Sequence, residues 1–528
     1  MLVTVRSVGL KLSTKANLLA VSHVLLALGA LSSPAVTVSP IVNLGYAQYQ
    51  GSVDMVTNIT SFLGIRYAAP PVGDLRWAAP QPPLAVSGVQ QATTQPNRCN
   101  KAPTGNSLTN PFESTSMRKR AISQSEDCLF LNVYTPGSKV VATPGGGLPV
   151  VVFIHGGGYI TGAASVFNGA DLIVDSNHGV ITVLIQYRLG LFGFLPGKAV
   201  KEGGALNAGL QLCITMGAGL PSVATPAKVT IWGESAGAGS VLQHIVAHGG
   251  NTQPPLFETA MTSSTFLPSQ YNYNDRIPEM LYSEVVNGTN CTSSSDTLSC
   301  LRAADVNTLQ TLNYNINVNG FFGTFVFVPV VDGTFILERP TVTIRKGRLN
   351  GKYLLSMTNS HEGNAFVDQS MTLDVADYVK TLFPNFGSAQ VAGAVTMYEN
   401  YGSNLNQANL QYSFAPLIIS FWHLGERAWK GEFAIPPGLH GSDVAYYFTS
   451  YGGGPPYNNS QFITAFSNSF MAMAMFETPD DRYTPGDITP SWTSWQYDLT
   501  EMKFNETFAG VPDIYTFKTD SALLERCA

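Results

Sequence analysis

The chain has 528 residues, 45% of them hydrophobic and only 12% charged, with a formal net charge of -6. That is ample apolar material for a large buried core, and an acidic balance with no basic footprint argues against a nucleic-acid partner. No Pro/Ser-rich linker, charge block or repeat divides the sequence, so we expect a single large domain over 36–528 although the length alone would suggest several.

In chain order, the first element is a leader over 1–35. Arg6, Lys11 and Lys15 precede a mostly apolar stretch from Leu18 to Leu31, and the small residues Ser32, Ser33 and Ala35 follow, which is the layout of a secretory signal peptide. A membrane anchor is the alternative, but the run falls short of the ~20 residues a span requires. No later segment is long and apolar enough, so no stable membrane span is expected. Val150 to Ile154 then reads as an apolar strand running into the glycine-rich loop His155-Gly156-Gly157-Gly158-Tyr159. A second apolar run, Val229-Thr230-Ile231-Trp232, leads into Gly233-Glu234-Ser235-Ala236-Gly237, which sets a serine between small residues on a strand-to-helix corner. A nucleophile stands clear of the backbone there. The earlier glycine loop holds the position that completes an oxyanion hole, which we assign to the backbone N–H groups of Gly157, Gly158 and Ala236.

These motifs, with Gly64-Ile65-Arg66-Tyr67-Ala68, Pro70 to Trp77 and Glu126 to Tyr134, resemble the type-B carboxylesterase/lipase family, which includes cholinesterases and secreted fungal lipases. The resemblance covers nearly all of the chain after about the first 40 residues. It implies an α/β-hydrolase fold, with a large central, mostly parallel sheet flanked by helices. It also implies a disulfide between Cys99 and Cys128. Cys291 and Cys300 flank a Ser/Thr-rich stretch as a second small-loop disulfide would, while Cys213 and Cys527 are left over. Five acceptor sequons, at Asn58, Asn287, Asn290, Asn458 and Asn505, are candidates for glycosylation in a secretory route.

A serine hydroxyl is a poor nucleophile at neutral pH, so Ser235 needs an imidazole base and a carboxylate to orient it, in the chain order serine, acid, histidine. The histidines after Ser235 are His244, His248, His361, His423 and His440. His244 and His248 read as a solvated helix face, no third ligand accompanies them, and no metal or other cofactor is expected. His423 reads as part of a packed helix. His440 lies in Pro436-Pro437-Gly438-Leu439-His440-Gly441-Ser442-Asp443, where turn residues leave the ring on a loop, and the segment resembles the family's histidine loop. For the acid, Tyr353 to Met357 reads as a short buried strand whose C-terminal loop carries Glu362, and Glu362-Gly363 resembles the family's acid motif. Asp332 competes, but Asp332-Gly333 reads better as a turn. Tyr159 reads equally as a pocket wall or as core, and Glu234 resembles a family glutamate buried beside the nucleophile.

The chain departs from the family between Gly203 and Ala227, where no charged residue occurs. The family has there a helix with a Trp-Val-Gln stretch and an aspartate that pairs with an arginine matching Arg188. Met216-Gly217 must be encoded ATG-GGN, which reads TGG one base along, so a shifted frame restores the tryptophan. A reading-frame error over 211–225 is the economical account, with natural divergence the alternative. The expected activity is a secreted serine hydrolase that cleaves carboxylic esters through an acyl-serine, with an ester and water as substrates. The alternatives are a triacylglycerol or sterol-ester lipase, a non-catalytic adhesion protein, or a pseudoenzyme. The candidate lid between Cys99 and Cys128 carries Lys101, Arg118, Lys119, Arg120 and Glu126 with few apolar residues, which favours soluble or short-chain esters.

Overall fold

The segments Val150–Ile154, Ile181–Ile185 and Thr259–Ser263 are buried at every position, as strands are when helices cover both faces of a parallel sheet. They are the centre of an eleven-stranded sheet in a computed structural model. It describes residues 39–107, 124–137, 147–211, 228–368, 373–398, 404–405, 424–521 and 524. The leader, Cys213, His423, Cys527, and most of the stretch expected to be frame-shifted lie outside the described residues.

In chain order the strands of the large sheet are β1 Ser52–Asp54, β2 Ile59–Arg66, β3 Phe130–Pro136, β4 Val150–Ile154, β5 Ile181–Ile185, β6 Val229–Glu234, β7 Thr259–Ser263, β8 Tyr353–Asn359, β9 Ala428–Phe433, β10 Thr500–Glu506 and β11 Pro512–Lys518. Their spatial order is β11-β10-β9-β8-β7-β6-β4-β5-β3-β2-β1. Strands β5, β4 and β6 to β10 run parallel, with antiparallel strands at both edges. This is the mostly parallel sheet of an α/β-hydrolase fold.

Alternation along each strand divides the core into two faces. Val150, Val152, Ile154, Ile231 and Ala260 belong to one cluster; Val151, Phe153, Trp232 and Met261 belong to the other. The helices used below are α1 Gly169–Asp175, α2 Ala236–Gly250, α3 Arg276–Gly288, α4 Val375–Leu382 and α5 Ser460–Phe476. Helix α2 buries Val241, Leu242, Ile245 and Val246 in the first cluster. Helices α1 and α5 bury Leu172, Ile173, Phe462, Phe466 and Phe470 in the second. Two disulfides close loops, Cys99 to Cys128 and Cys291 to Cys300. Among the described residues no helix is long and apolar enough to cross a membrane.

His244 corrects the expectation of a solvated helix face. It is 3% exposed and packs edge-to-face on Phe335, while His248, one turn on, is exposed. Burial holds the His244 imidazole down to about 4, so it is a neutral core group. No cluster of metal-ligating side chains occurs among the described residues. Tyr159 is also core, with no exposure, packed on Phe194 and Phe266.

Candidate active site

Strand β6 ends at Glu234 and α2 begins at Ala236, so Ser235 alone makes the corner, with φ 57° and ψ -122°. A β-carbon disfavours positive φ, and the corner is held by three backbone hydrogen bonds that oppose the strain. Ser235 N–H donates to the Ser263 carbonyl at 2.9 Å, and its own carbonyl accepts from Gly239 N at 2.9 Å and Phe266 N at 3.1 Å. The glycines are required by contact. A Cβ on Gly237 would lie 1.9 Å from the Ile154 carbonyl oxygen, and one on Gly233 would lie 2.3 Å from the Gly237 carbonyl carbon.

The glycine-rich loop continues from β4 and lies against this corner: a Cβ on Gly156 would meet Glu234 Oε2 at 2.5 Å and Ser235 Cβ at 2.8 Å. Gly157 and Gly158 have φ of 107° and 60°, which a side chain resists, and this turns the loop back on itself. Their N–H groups have no acceptor among the described residues. Ala236 opens α2, where the first N–H groups of a helix lack intrahelical partners.

The acid and histidine loops leave the ends of β8 and β9. His361 N–H donates to the Gly438 carbonyl at 2.8 Å, and His361 bridges Leu439 in parallel, which joins the two loops. His440 Nδ1 then sits 2.5 Å from Glu362 Oε2, while the other carboxylate oxygen of Glu362 accepts from Asn359 N at 2.7 Å. On the far side of the ring, Nε2 lies 3.4 Å from Glu234 Oε1 and has no hydrogen-bond partner. Phe366 packs edge-on to the imidazole at 4.7 Å. Asp332, the rival acid, is taken up by its turn, accepting from Asn207 Nδ2, Thr334 N and Ile336 N at 2.7, 2.7 and 3.0 Å.

Asp443 had no role in the sequence reading. It has no exposure, accepts from Asn359 Nδ2 at 2.9 Å and from the Tyr447 hydroxyl at 3.3 Å, and belongs to the same cluster as His440. Asn359 also donates to Ser264 Oγ at 2.7 Å, so one amide ties the end of β8, the segment after His440 and the residue that follows β7. The position of Asp443 three residues after His440 was the available signal. Burial pushes its carboxyl up to about 6 and that of Glu234 up to about 8. Burial works against protonation of His440, but Glu362 by charge and hydrogen bond, with Glu234 and Asp443, raises it to about 9.

The arrangement offers a serine on a strained corner, an imidazole held by a carboxylate, and a glycine loop against the corner whose backbone donors have no acceptor among the described residues. The family model described as the carboxylesterase family matches residues 38–211 and 224–415, leaving 212–223 unmatched. The chain is 30% identical over 471 residues to carboxylesterase patB of Aspergillus clavatus, covering 78% of this chain and 83% of that protein. Secreted lipase 1 of Botryotinia fuckeliana is 28% identical over 393 residues, 69% of this chain and 67% of that one. The crystal structure of Aspergillus niger EstA superposes with a TM-score of 0.78 at 27% identity, covering 93% of this chain and 97% of that chain. The chain belongs to the carboxylesterase family and is a carboxylic ester hydrolase.

Proposed function

We propose that this hydrolase is secreted and works through an acyl-serine on Ser235, with His440 as general base and Glu362 as the orienting acid. Ser235 Oγ adds to the ester carbonyl while His440 Nε2 takes its proton, and the Gly157, Gly158 and Ala236 N–H groups face the oxygen that becomes negative. Collapse breaks the bond to the alcohol, which leaves with the proton from His440. Water repeats the sequence on the acyl-serine and releases the acid. The observation that carries the reading is the imidazole bound to Glu362 on one side and set 3.4 Å from Glu234, the neighbour of Ser235, on the other. Secretion is supported by the leader composition and the two disulfides, which persist in oxidising compartments. Asn58, Asn287, Asn290 and Asn458 are exposed and Asn505 is half-buried, so all five remain glycosylation candidates.

The test is steady-state hydrolysis of a soluble ester. Ser235→Ala and His440→Ala should each lower kcat by about 10⁴-fold or more, and Glu362→Gln by about 10³–10⁴-fold, with a residual rate from binding and the oxyanion donors. An unchanged rate in His440→Ala would move the base elsewhere.

A further inference from the structure

A cavity of about 670 Å³, within the range of small-molecule sites, adjoins the oxyanion loop. Its inner end is aromatic, formed by Phe194, Phe266 and Phe325. Phe325 stands so close to Gly158 that a Cβ there would lie 2.0 Å from the ring, and Phe266 holds the Ser235 carbonyl through its backbone N–H. A molecule filling this end therefore lies beside both the serine corner and the oxyanion loop. The middle of the cavity is apolar, with Leu267, Ile277 and Met280 among its walls.

The outer end differs. Arg276, the first residue of α3, is exposed there and is the one charged lining residue among those described. Its guanidinium reaches only the Asn385 side-chain oxygen, at 3.4 Å. Tyr271, also in the lining, is raised by burial and lowered by two cations, Arg276 and Arg339, against one anion, Asp275. Asp275 is engaged, accepting from Asn272 N at 2.9 Å and Asn272 Nδ2 at 3.2 Å. Arg276 has no carboxylate partner among the described residues. An apolar cavity thus runs from the aromatic rings packed against the oxyanion loop and the serine corner to one exposed guanidinium, that of Arg276.

We propose that this cavity holds the acyl part of the ester, with the reacting carbonyl at Ser235 and an anionic group at the far end of the chain against Arg276. The substrate class is then esters of acids that carry a second, distal carboxylate, such as monoesters of dicarboxylic acids. The assignment rests on Ser235 being the nucleophile. The apolar part of such a chain leaves water along the aromatic walls, while its carboxylate stays at the exposed rim and is spared the cost of full desolvation. These esters are soluble, in keeping with the charged loop between Cys99 and Cys128.

The experiment compares kcat/KM for the monoethyl ester of a medium-chain dicarboxylic acid with that for the diethyl ester of the same acid. In Arg276→Gln the ratio should fall about threefold, through KM, which is the scale of one exposed ion pair. Raising the salt should lower the ratio in the unsubstituted chain in the same direction. A ratio that neither change moves overturns the proposal. So does an Arg276→Gln variant altered only in its inhibition by the free acid, which would assign the arginine to product release. Thermal unfolding of the variant checks its fold. Ser235→Ala separates the two levels: full turnover of both esters would remove the nucleophile, whereas loss of both beside an arginine-insensitive ratio would remove the cavity assignment alone.

Discussion

Three carboxylates, Glu362, Glu234 and Asp443, surround one imidazole, and their burial decides how the site responds to pH. His440 is raised to about 9 and Glu234 to about 8, so the two titrate over one range and the observed limb belongs to the pair. In the proposed mechanism His440 accepts a proton and so works only as the neutral ring, and kcat/KM should rise with pH along a limb above the ordinary histidine value near 6.5. Glu234→Gln removes one of the charges that favour the imidazolium, and the limb should move to lower pH with the maximal rate retained in large part. A limb that stays in place would show that Glu234 does not set the titration of His440. The stability linkage has the same origin: the stabilisation that charged His440 gives is complete below about 6.5 and is lost as pH rises through about 9.

At the scale of elements, the serine corner is a packing problem solved with glycine. Strand β6, helix α2 and the end of β4 approach so closely that no Cβ fits at Gly237 without moving the Ile154 carbonyl, which is fixed in the sheet. Gly237→Ala should therefore destabilise the fold by about 1–3 kcal/mol, read from the urea midpoint, and lower activity with it. An unmoved midpoint would mean the corner relaxes freely. The loop between Cys291 and Cys300 is closed by a disulfide. Cys291→Ser should cost about 2–4 kcal/mol, mainly by freeing the unfolded chain. Peptide mapping of the exported protein should find both cysteine pairs bonded, and free thiols at either pair would contradict export through an oxidising compartment.

At the scale of the whole molecule, Pro40–Ala528 forms one compact unit, and one buried cation in it stands out. Arg188 is 3% exposed and donates from a single nitrogen to the Ala78 and Ala208 carbonyls at 3.0 Å, while its Nε has no partner. Burial lowers it to about 10, and no carboxylate pairs with it among the described residues. A buried guanidinium without a counter-ion is costly. The family match also stops at 211 and resumes at 224, within the stretch whose codons permit a shifted frame. The expected outcome is that the transcript encodes Trp-Val-Gln in a different frame there, and that the chain as written expresses poorly. A transcript encoding Leu212 to Ala218 as given, in a stable and active protein, would establish natural divergence instead.

The strand-to-helix corner at Ser235, the glycine loop and the His440 loop were legible in the sequence because each needs a local conformation that only particular residues permit, while Glu362 was picked out by its place at a strand end and by the family resemblance. Small residues flank Ser235, glycines take positive φ at 157 and 158, and turn residues surround His440. The Cys291–Cys300 disulfide was legible from the short Ser/Thr-rich loop it closes, whereas the Cys99–Cys128 pairing came from the family resemblance. What the sequence left open depends on contacts between segments far apart in the chain. His244 read as solvated because periodicity does not reveal that Phe335 would cover it. Asp443 and Asn359 had no assigned part because a buried polar network exists only when several loops meet. The cavity between the oxyanion loop and Arg276 is a volume enclosed by remote segments, and no local pattern encodes a volume. Local backbone chemistry was therefore determined by the sequence alone, while burial, charge balance and the shape of the acyl space were decided by the tertiary structure, because each is a sum over neighbours that only folding brings together.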